Sequence, residues 1–388
     1  MNIERSKLIK FKNRSPDPMF YKYRSDWNQG NTVIYYTYSL IKLFLFVFME
    51  LITLGRSKDY CSKITSLEGT ANHIKVSNII MSLGFKSESI GYKFTSHNNS
   101  INFLTAYLSG MKSLPFTFYY CFIRRGRYRK IVAKKLDFFI LSNSNKAISV
   151  PFNSFKGDKY LFHYSELSPY QHLALDQYLS LGYICVFIPH ATLPEKYPGF
   201  RSKYILQEGV RFGDVPIDID GLYTLINIGS FNQDYLPHPH SILIGLNCFD
   251  SILSVKKIID YISARNRNVV VTIRFHPATK FIYLRYVTIM ILTFKYLQLD
   301  NGYLGYSLQK NNICIAGMSG ILIDAVKMGR VVFTWMDPLR AAEFFNVDPE
   351  IINPIGCFPK YKSITHSYNH DFQKIKNDLK KALFFICK

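Results

Sequence analysis

Apolar and polar positions alternate in blocks along the chain, and from about residue 136 these blocks follow a regular rhythm. Short apolar runs of strand length are separated by longer stretches with helical spacing. The first series predicts strands in LDFFILS, YLFHYS, ICVFIP and KYILQE, at 136–142, 160–165, 184–189 and 203–208. A helix is predicted over 168–182, with Ser168 as N-cap, Pro169 at its first position and Gly182 at its end.

A second series follows residues 231–241, which contain turn formers and two prolines and are interpreted as a linker. Its predicted helices begin at the cap Asp250 or Ser251, at Phe281 and at Ile321, and the last one closes at Gly329. Its predicted strands are SILIGLNCF, VVVTIRF, NICIAG and VVFTW, at 241–249, 269–275, 312–317 and 331–335.

Strands that alternate with helices predict parallel sheets covered on both faces. We therefore expect an α/β chain with two Rossmann-like domains that face a cleft. The predicted division is 1–232 for an acceptor domain and 240–388 for a donor domain. Within the first, residues 1–135 form a basic, aromatic and helical region that the pattern does not resolve into strands.

One stretch in this region, residues 33–55, is long and apolar enough to cross a membrane, but Lys42 and Glu50 interrupt it. A buried helix or one lying on a membrane surface is the favoured interpretation, with a spanning helix as the alternative. Farther on, IRRGRYRKIVAKK (123–135) is either a solvated basic helix face or a patch for anionic lipid headgroups.

Composition adds a preference for anionic partners. Lys and Arg number 48 against 27 Asp and Glu, a formal charge of +21, which favours nucleic acid, phosphorylated substrates or acidic membrane surfaces. The seven cysteines form no CxxC pair, which favours reduced intracellular thiols over a disulfide framework or a zinc site. No apolar segment follows the basic N-terminus at the distance of a signal peptide.

Candidate chemistry lies where predicted strands end, because ligands of parallel α/β sheets bind at the carboxyl edges of the strands. The strand VVVTIRF runs into Arg274, His276 and Pro277. Arginine offers a bidentate fork to phosphate, histidine offers a hydrogen bond, and the proline stiffens the turn. The alternative is a histidine satisfied by neighbouring carbonyl groups.

A glycine turn follows the later strand NICIAG. Gly317 and Gly320 allow close approach of a ligand, and Ser319 with the following helix start offers donors to an anion. The segment has neither the Walker lysine nor GxGxxG spacing, so it is no ATP or NAD fingerprint. An ordinary strand-to-helix turn is the alternative.

Two further strand ends carry candidate catalytic groups. KYILQE ends at Gln207, Glu208 and Gly209, where a carboxylate can act as general base. ICVFIP ends at Pro189 and His190. An exposed turn residue is the alternative for both.

As an ordered set, these motifs resemble GT-B glycosyltransferases of bacterial surface polysaccharide synthesis. "RFHP" with the later Gly/Ser loop and Asp324 resembles their donor half, and "IPHA" resembles a strand-end HG. "QEG" is similar to the acidic-Gly motif of bacterial sialyltransferases and capsule Kdo transferases. The departures are Gln207 at the first acidic position, Met318 before Ser319, and Ala191 after His190.

The resemblance implies a metal-independent, inverting transferase of capsule or lipopolysaccharide synthesis without a cofactor. Its donor would be a CMP-activated acidic sugar, and its acceptor a glycan or lipid-linked oligosaccharide. Glu208 would be the base, with His190 as a second catalytic residue. The donor phosphate would be bound by Arg274, His276, Pro277, Gly317, Ser319, Gly320 and Asp324.

Rival assignments remain open at this point. The acidic cluster Asp214, Asp218 and Asp220 is another source of the base. A CDP-alditol polyol-phosphate transferase of teichoic-acid type is the alternative activity, and a basic nucleic-acid binder is a remote one. The predicted location is cytoplasmic, peripheral on the inner face of the membrane.

Overall fold

The fold is described from a computed structural model. It describes residues 6–11, 31–54, 58–92, 99–166, 168–189, 201–207, 216–218, 238–247, 250–266, 269–277, 279, 281–317, 319–345, 349–360 and 372–388.

The first half of the chain forms a seven-stranded sheet in which every strand pair is parallel. Its strands are β1 Ile64–Glu68, β2 Glu88–Gly91, β3 Asn99–Ser100, β4 Tyr160–His163, β5 Ile184–Phe187, β6 Tyr204–Gln207 and β7 Pro216–Asp218. The spatial order is β3-β2-β1-β4-β5-β6-β7.

The second half forms a six-stranded parallel sheet. Its strands are β8 His238–Leu246, β9 Val270–Phe275, β10 Gln298–Asp300, β11 Asn311–Ala316, β12 Val331–Thr334 and β13 Asn353–Pro354. The order is β10-β9-β8-β11-β12-β13, which repeats the pattern of the first sheet. The predicted α/β class with two parallel, helix-covered sheets is therefore confirmed.

Helices cover both faces of each sheet. In the first half they are α1 Thr32–Ile52, α2 Ala71–Ser82, α3 Leu104–Gly110, α4 Leu114–Phe118, α5 Arg129–Lys134, α6 Leu136–Ser142 and α7 Pro169–Ser180. The later helices are α8 Ile252–Arg265, α9 Ile282–Thr293, α10 Leu304–Lys310, α11 Ile321–Lys327, α12 Pro338–Phe345 and α13 Phe372–Ile386. One turn of π-helix, Tyr119–Ile123, and short 3-10 turns at Met111–Ser113, Pro349–Ile351 and Ile355–Cys357 join them.

Within the part of the chain that the structure describes, four apolar cores lie between these layers, one on each face of each sheet. In the first half, residues of α1, α3, α5, α6 and α7 form one core, and residues of α2 and α13 form the other. In the second half, α10, α11 and α12 cover one face, and α8 and α9 cover the opposite face.

The C-terminal helix α13 packs against the first sheet although it follows the second in sequence. Ile375, Leu379 and Leu383 are buried among residues of β4, β5 and β6. Lys63 Nζ donates to the carbonyl oxygen of Cys387 over 2.6 Å and ties the end of the chain to the same side. The sequence-based division, which gave all of 240–388 to the donor domain, did not predict this crossing.

The predicted strand 136–142 is wrong, because these residues form helix α6. All seven side chains are buried, so the run shows no helical periodicity, and a short apolar run is ambiguous between strand and helix. The helical turn is visible in Ser142 Oγ, which donates to the carbonyl oxygen of Phe138 over 2.7 Å.

The apolar stretch 33–55 forms most of the long helix α1. Asn31 caps it by accepting a hydrogen bond from Val33 N over 2.8 Å. Its buried residues are Tyr36, Ser39, Leu43 and Glu50, which face α5, α6 and α3. Among the described residues α1 has the length and apolarity to cross a bilayer, with a mean hydropathy of 1.6 and 17% of its apolar window buried.

Candidate functional site

Both sheets reverse their strand order at one point, and these points define the candidate site. In the first sheet the chain builds outward from β1 to one side and from β4 to the other; in the second it does the same from β8 and β11. Ligands of open parallel sheets bind outside the carboxyl ends of strands at such switch points. The groups after β1, β4, β8 and β11 are therefore the first to consider.

The glycine turn after β11 lies at the switch point of the second sheet, as the sequence predicted. A Cβ atom on Gly317 would lie 2.8 Å from Trp335 Nε1, so packing of the indole alone requires glycine there. Around Gly320 no atom lies within 4 Å of a Cβ position, so this residue leaves open space. The N–H groups of Leu322 and Ile323 bond to the carbonyl oxygens of Ser319 and Gly320, which reduces the donors available to an anion.

Arg274 lies at the carboxyl end of β9, beside β8, and is fixed by an acidic neighbour. Its Nη1 donates to Asp300 Oδ2 over 2.6 Å, to the carbonyl oxygen of Gly302 over 2.8 Å and to Ser307 Oγ over 3.2 Å. The next residues, His276 and Pro277, are exposed at the same edge. The histidine is therefore accessible to a ligand. Part of the Arg274 guanidinium, its Nη1, is already used in hydrogen bonds within the protein.

A lysine of the first half lies within the electrostatic influence of this arginine. Lys75 lies in α2, the helix that follows β1, and partial burial lowers its pKa. The positive charge of Arg274 lowers that pKa further. Positive charges from both halves therefore influence each other, although Asp300 already pairs with Arg274. No sequence signal pointed to Lys75, because the pattern does not predict β1.

The turn between β1 and α2 is held by a buried network. Gly69 N donates to His73 Nδ1 over 3.2 Å, and the Tyr92 hydroxyl lies 3.4 Å from the same nitrogen. A Cβ on Gly69 would come within 2.1 Å of the Tyr92 ring. Gln171 Nε2 donates to the Tyr92 hydroxyl over 2.6 Å. Because Nδ1 accepts from an N–H group, the ring proton of neutral His73 resides on Nε2.

A second buried network follows β4, the other strand of this switch point. His163 Nε2 contacts Ser202 Oγ, which donates to Glu166 Oε1 over 3.0 Å. Burial lowers the pKa of His163 to about 3 and raises the pKa of Glu166 to about 7. Although His163 and Glu166 lie 3.5 Å apart, at neutral pH the histidine is uncharged and the contact is no full ion pair.

The predicted catalytic pair, His190 and Glu208, lies outside the described residues, as do Gly209, Asp214 and Asp220. The strands that precede the pair, β5 and β6, are neighbours with Phe187 opposite Ile205. Asp218 ends β7, the edge strand of the sheet.

Asp324 lies in α11 and is buried, and its charge helps burial raise the pKa of Cys314 in β11. Its assignment to the donor site stays a prediction. Among the residues that the structure describes, no group of three or more His, Cys, Asp or Glu side chains is placed to hold a metal ion.

No protein-family model matches the sequence, and no curated protein matches it. Solved structures with similarity include the UDP-GlcNAc 2-epimerase of Methanocaldococcus jannaschii, at a TM-score of 0.43, 12% identity and coverage of 83% of this chain and 99% of that one. The Neisseria meningitidis UDP-GlcNAc 2-epimerase bound to UDP-GlcNAc has a TM-score of 0.42, 12% identity and coverages of 83% and 92%. The wall teichoic acid polymerase TagF has a TM-score of 0.40 and 8% identity, and the match covers 89% of this chain and 96% of that one. At these values the likenesses carry no argument for function.

Proposed function

We propose that this chain is a GT-B glycosyltransferase that uses a nucleotide-activated donor in the synthesis of a bacterial surface polysaccharide. The observation that carries the proposal is the exposed His276 beside Arg274 at the carboxyl edge of the second sheet, whose strand order follows that of the first. The charge of Arg274 also acts on Lys75 of the first half. Basic groups at the carboxyl edges of parallel sheets suit a nucleotide phosphate. The ordered motifs of the sequence support transfer of a sugar.

In the proposed reaction Glu208 accepts the proton of an acceptor hydroxyl. The hydroxyl oxygen attacks the anomeric carbon, and the bond from that carbon to the phosphate oxygen breaks. The nucleotide leaves with the electron pair, and one attack from the opposite face inverts the configuration. Arg274, His276 and Lys75 stabilise the charge of the leaving phosphate. His190 and the turn at Ser319 stay assigned to the cleft as predictions.

The donor is proposed to be a CMP-linked acidic sugar, on the resemblance of the QEG and RFHP segments. The exposed His276 and the Gly/Ser turn also fit a second activity, transfer of a polyol phosphate from a CDP-alditol. There the acceptor oxygen attacks phosphorus and CMP leaves, so the new bond is a phosphodiester. Analysis of the transferred group by mass and by phosphorus content separates the two activities.

Binding of nucleotides tests the proposal. We expect one of CMP, CDP, UDP or GDP to raise the melting temperature of the whole protein, because a ligand of the folded state stabilises it. His276→Ala and Lys75→Met should each weaken that effect. Lys381→Met, at a side chain that is 81% exposed on α13, should leave it unchanged.

Three outcomes would change the proposal. A response to UDP or GDP alone would retain the glycosyltransferase and remove the CMP-linked donor. No response to any nucleotide would overturn the site. Salt-sensitive binding to oligonucleotides, without nucleotide binding, would favour the nucleic-acid alternative.

A further inference from the structure

Helix α1 is apolar on the side that faces away from the protein. Its buried residues recur at Tyr36, Leu43 and Glu50, seven positions apart, and thus lie along one side. Large apolar side chains on the remaining surface are 41–64% exposed. They are Val33, Ile34, Tyr38, Ile41, Phe44, Leu45, Phe48, Met49, Leu51 and Ile52. A contiguous apolar face of this size that is exposed to solvent marks an interaction site.

The inner side of α1 is attached along its length. The Tyr36 hydroxyl lies 2.9 Å from Thr117 Oγ1, and Ser39 Oγ donates to the carbonyl oxygen of Lys134 over 3.2 Å. Glu50 Oε2 accepts from Phe103 N over 2.9 Å. From Tyr36 to Glu50 the helix rises about 21 Å. A helix attached over that distance could cross a bilayer only by drawing polar parts of the domain in, so the attachment favours a surface arrangement over a spanning one.

The apolar face continues onto the end of α4 and the π-helical turn that follows it. Phe118, Tyr119 and Ile123 are 52%, 43% and 65% exposed. The Tyr36 ring contacts the Phe118 ring at 6.3 Å between centroids and the Phe122 ring at 5.1 Å. These residues and the outer side of α1 form one surface, which we call the apolar face.

A basic segment, residues 124–135, adjoins the apolar face. Arg124, Arg125 and Arg127 are exposed, and Lys134 Nζ lies 4.2 Å from the centroid of the Tyr35 ring in α1. Residues 99–136 contain no Asp or Glu, and within 31–54 the one acidic residue, Glu50, is buried. The charge beside the apolar face is therefore of one sign.

We propose that the apolar face lies in the interfacial layer of a bilayer that contains anionic lipid, with α1 parallel to the membrane plane and the basic segment on the headgroups. Apolar burial and electrostatic attraction to headgroups add in such binding. A second copy of the chain fits less well, because a symmetric dimer through this face would bring two basic segments together. The inference stands independently of the proposed transferase activity.

Vesicle co-sedimentation of the full chain tests this placement. Vesicles of phosphatidylcholine mixed with phosphatidylglycerol should bind the protein, and phosphatidylcholine alone should bind it more weakly. Leu45→Glu combined with Phe48→Glu should reduce binding about tenfold or more, because both side chains then resist insertion. Leu339→Glu, at a side chain that is 66% exposed on α12, should bind as the unaltered protein does.

The second arm concerns charge. Arg124→Glu with Arg125→Glu should reduce the preference for anionic vesicles while leaving the melting temperature unchanged, which separates lost binding from lost folding. Failure of the unaltered protein to bind either vesicle would overturn the inference. So would resistance of the bound protein to alkaline extraction, which indicates a spanning segment, or a stable dimer that the Leu45/Phe48 variant dissociates.

Discussion

At the scale of single residues, burial shifts the pKa values of two neighbouring side chains in opposite directions. The pKa of Glu166 rises to about 7, and that of His163 falls to about 3, because each charged form loses hydration. As pH rises from 4.5 to 7, the folded state holds its Glu166 proton longer than the unfolded state does, so stability falls. As pH falls below 6.5, the unfolded state gains a proton at His163 first, so stability falls there too.

We predict that Glu166→Gln changes the pH dependence of folding in one direction. The free energy of unfolding of the variant, relative to the unaltered protein, should increase by about 3 kcal/mol between pH below 4.5 and pH above 7. Glu50, whose pKa is also raised to about 7 by burial, is present in both proteins and cancels in the difference. Denaturant titrations across this pH range measure the difference in unfolding free energy between the two proteins. A difference that does not change with pH would contradict the raised pKa of Glu166.

The two strand-end glycines provide a second prediction. Gly69→Ala should destabilise the protein by about 1–3 kcal/mol, because its Cβ would overlap the Tyr92 ring. Gly320→Ala, at the corresponding turn of the second sheet, should change stability by no more than about 0.5 kcal/mol, since that position faces open space and its backbone conformation suits alanine. Denaturant midpoints compare the pair, and equal losses would show that Tyr92 moves aside readily.

At the scale of elements, helix ends were easier to predict than buried strands and helices. Ser168, Pro169 and Gln171 form the capping box of α7, as local sequence chemistry indicates. In contrast, β1 was not predicted, because its buried positions include the polar Thr65, Ser66 and Glu68. Helix α6 was predicted as a strand, because all of its side chains are buried and no exposed face marks a helical period. The pattern of apolar and polar residues predicts a helix or strand only where one side of the element is buried and the other is exposed.

The cap of α7 is open to a direct test. We predict that Ser168→Ala lowers the free energy of unfolding by about 1 kcal/mol, because Gln171 N loses the hydroxyl oxygen that accepts its hydrogen bond. The backbone N–H of residue 168 still donates to Gln171 Oε1 in the variant. Ser180→Ala near the other end of the same helix removes an exposed hydroxyl and should be close to neutral. Thermal unfolding of the two variants measures the difference. Equal losses of stability would show that the Ser168 cap contributes no more than the exposed Ser180 hydroxyl.

At the scale of the whole molecule, the sequence predicted two parallel sheets but only part of the site between them. The second sheet carried clear strand and turn signals, so Arg274, His276 and the Gly317–Gly320 turn fell at a shared edge. Lys75 and His73 were missed because their place depends on β1, and on contacts distant in sequence. The crossing of α13 to the first sheet depends on such contacts as well.

The crossing makes the first half dependent on the last residues of the chain. Leu383→Ala should cost about 2–5 kcal/mol, because Leu383 is fully buried against the first sheet. Phe385→Ala, two residues later and 67% exposed, should have little effect. Thermal unfolding of the two variants provides the comparison, and a small loss for Leu383→Ala would mean that α13 contributes little to this core.

The placement of α13 also has a consequence for biosynthesis. The chain emerges from the ribosome with its N-terminus first, and domains commonly fold in that order. Here the second sheet emerges complete while one apolar side of the first sheet still awaits a helix that has not been translated. The nascent first half therefore stays incompletely covered until α13 has emerged from the ribosome, and a chaperone would find it exposed during this interval.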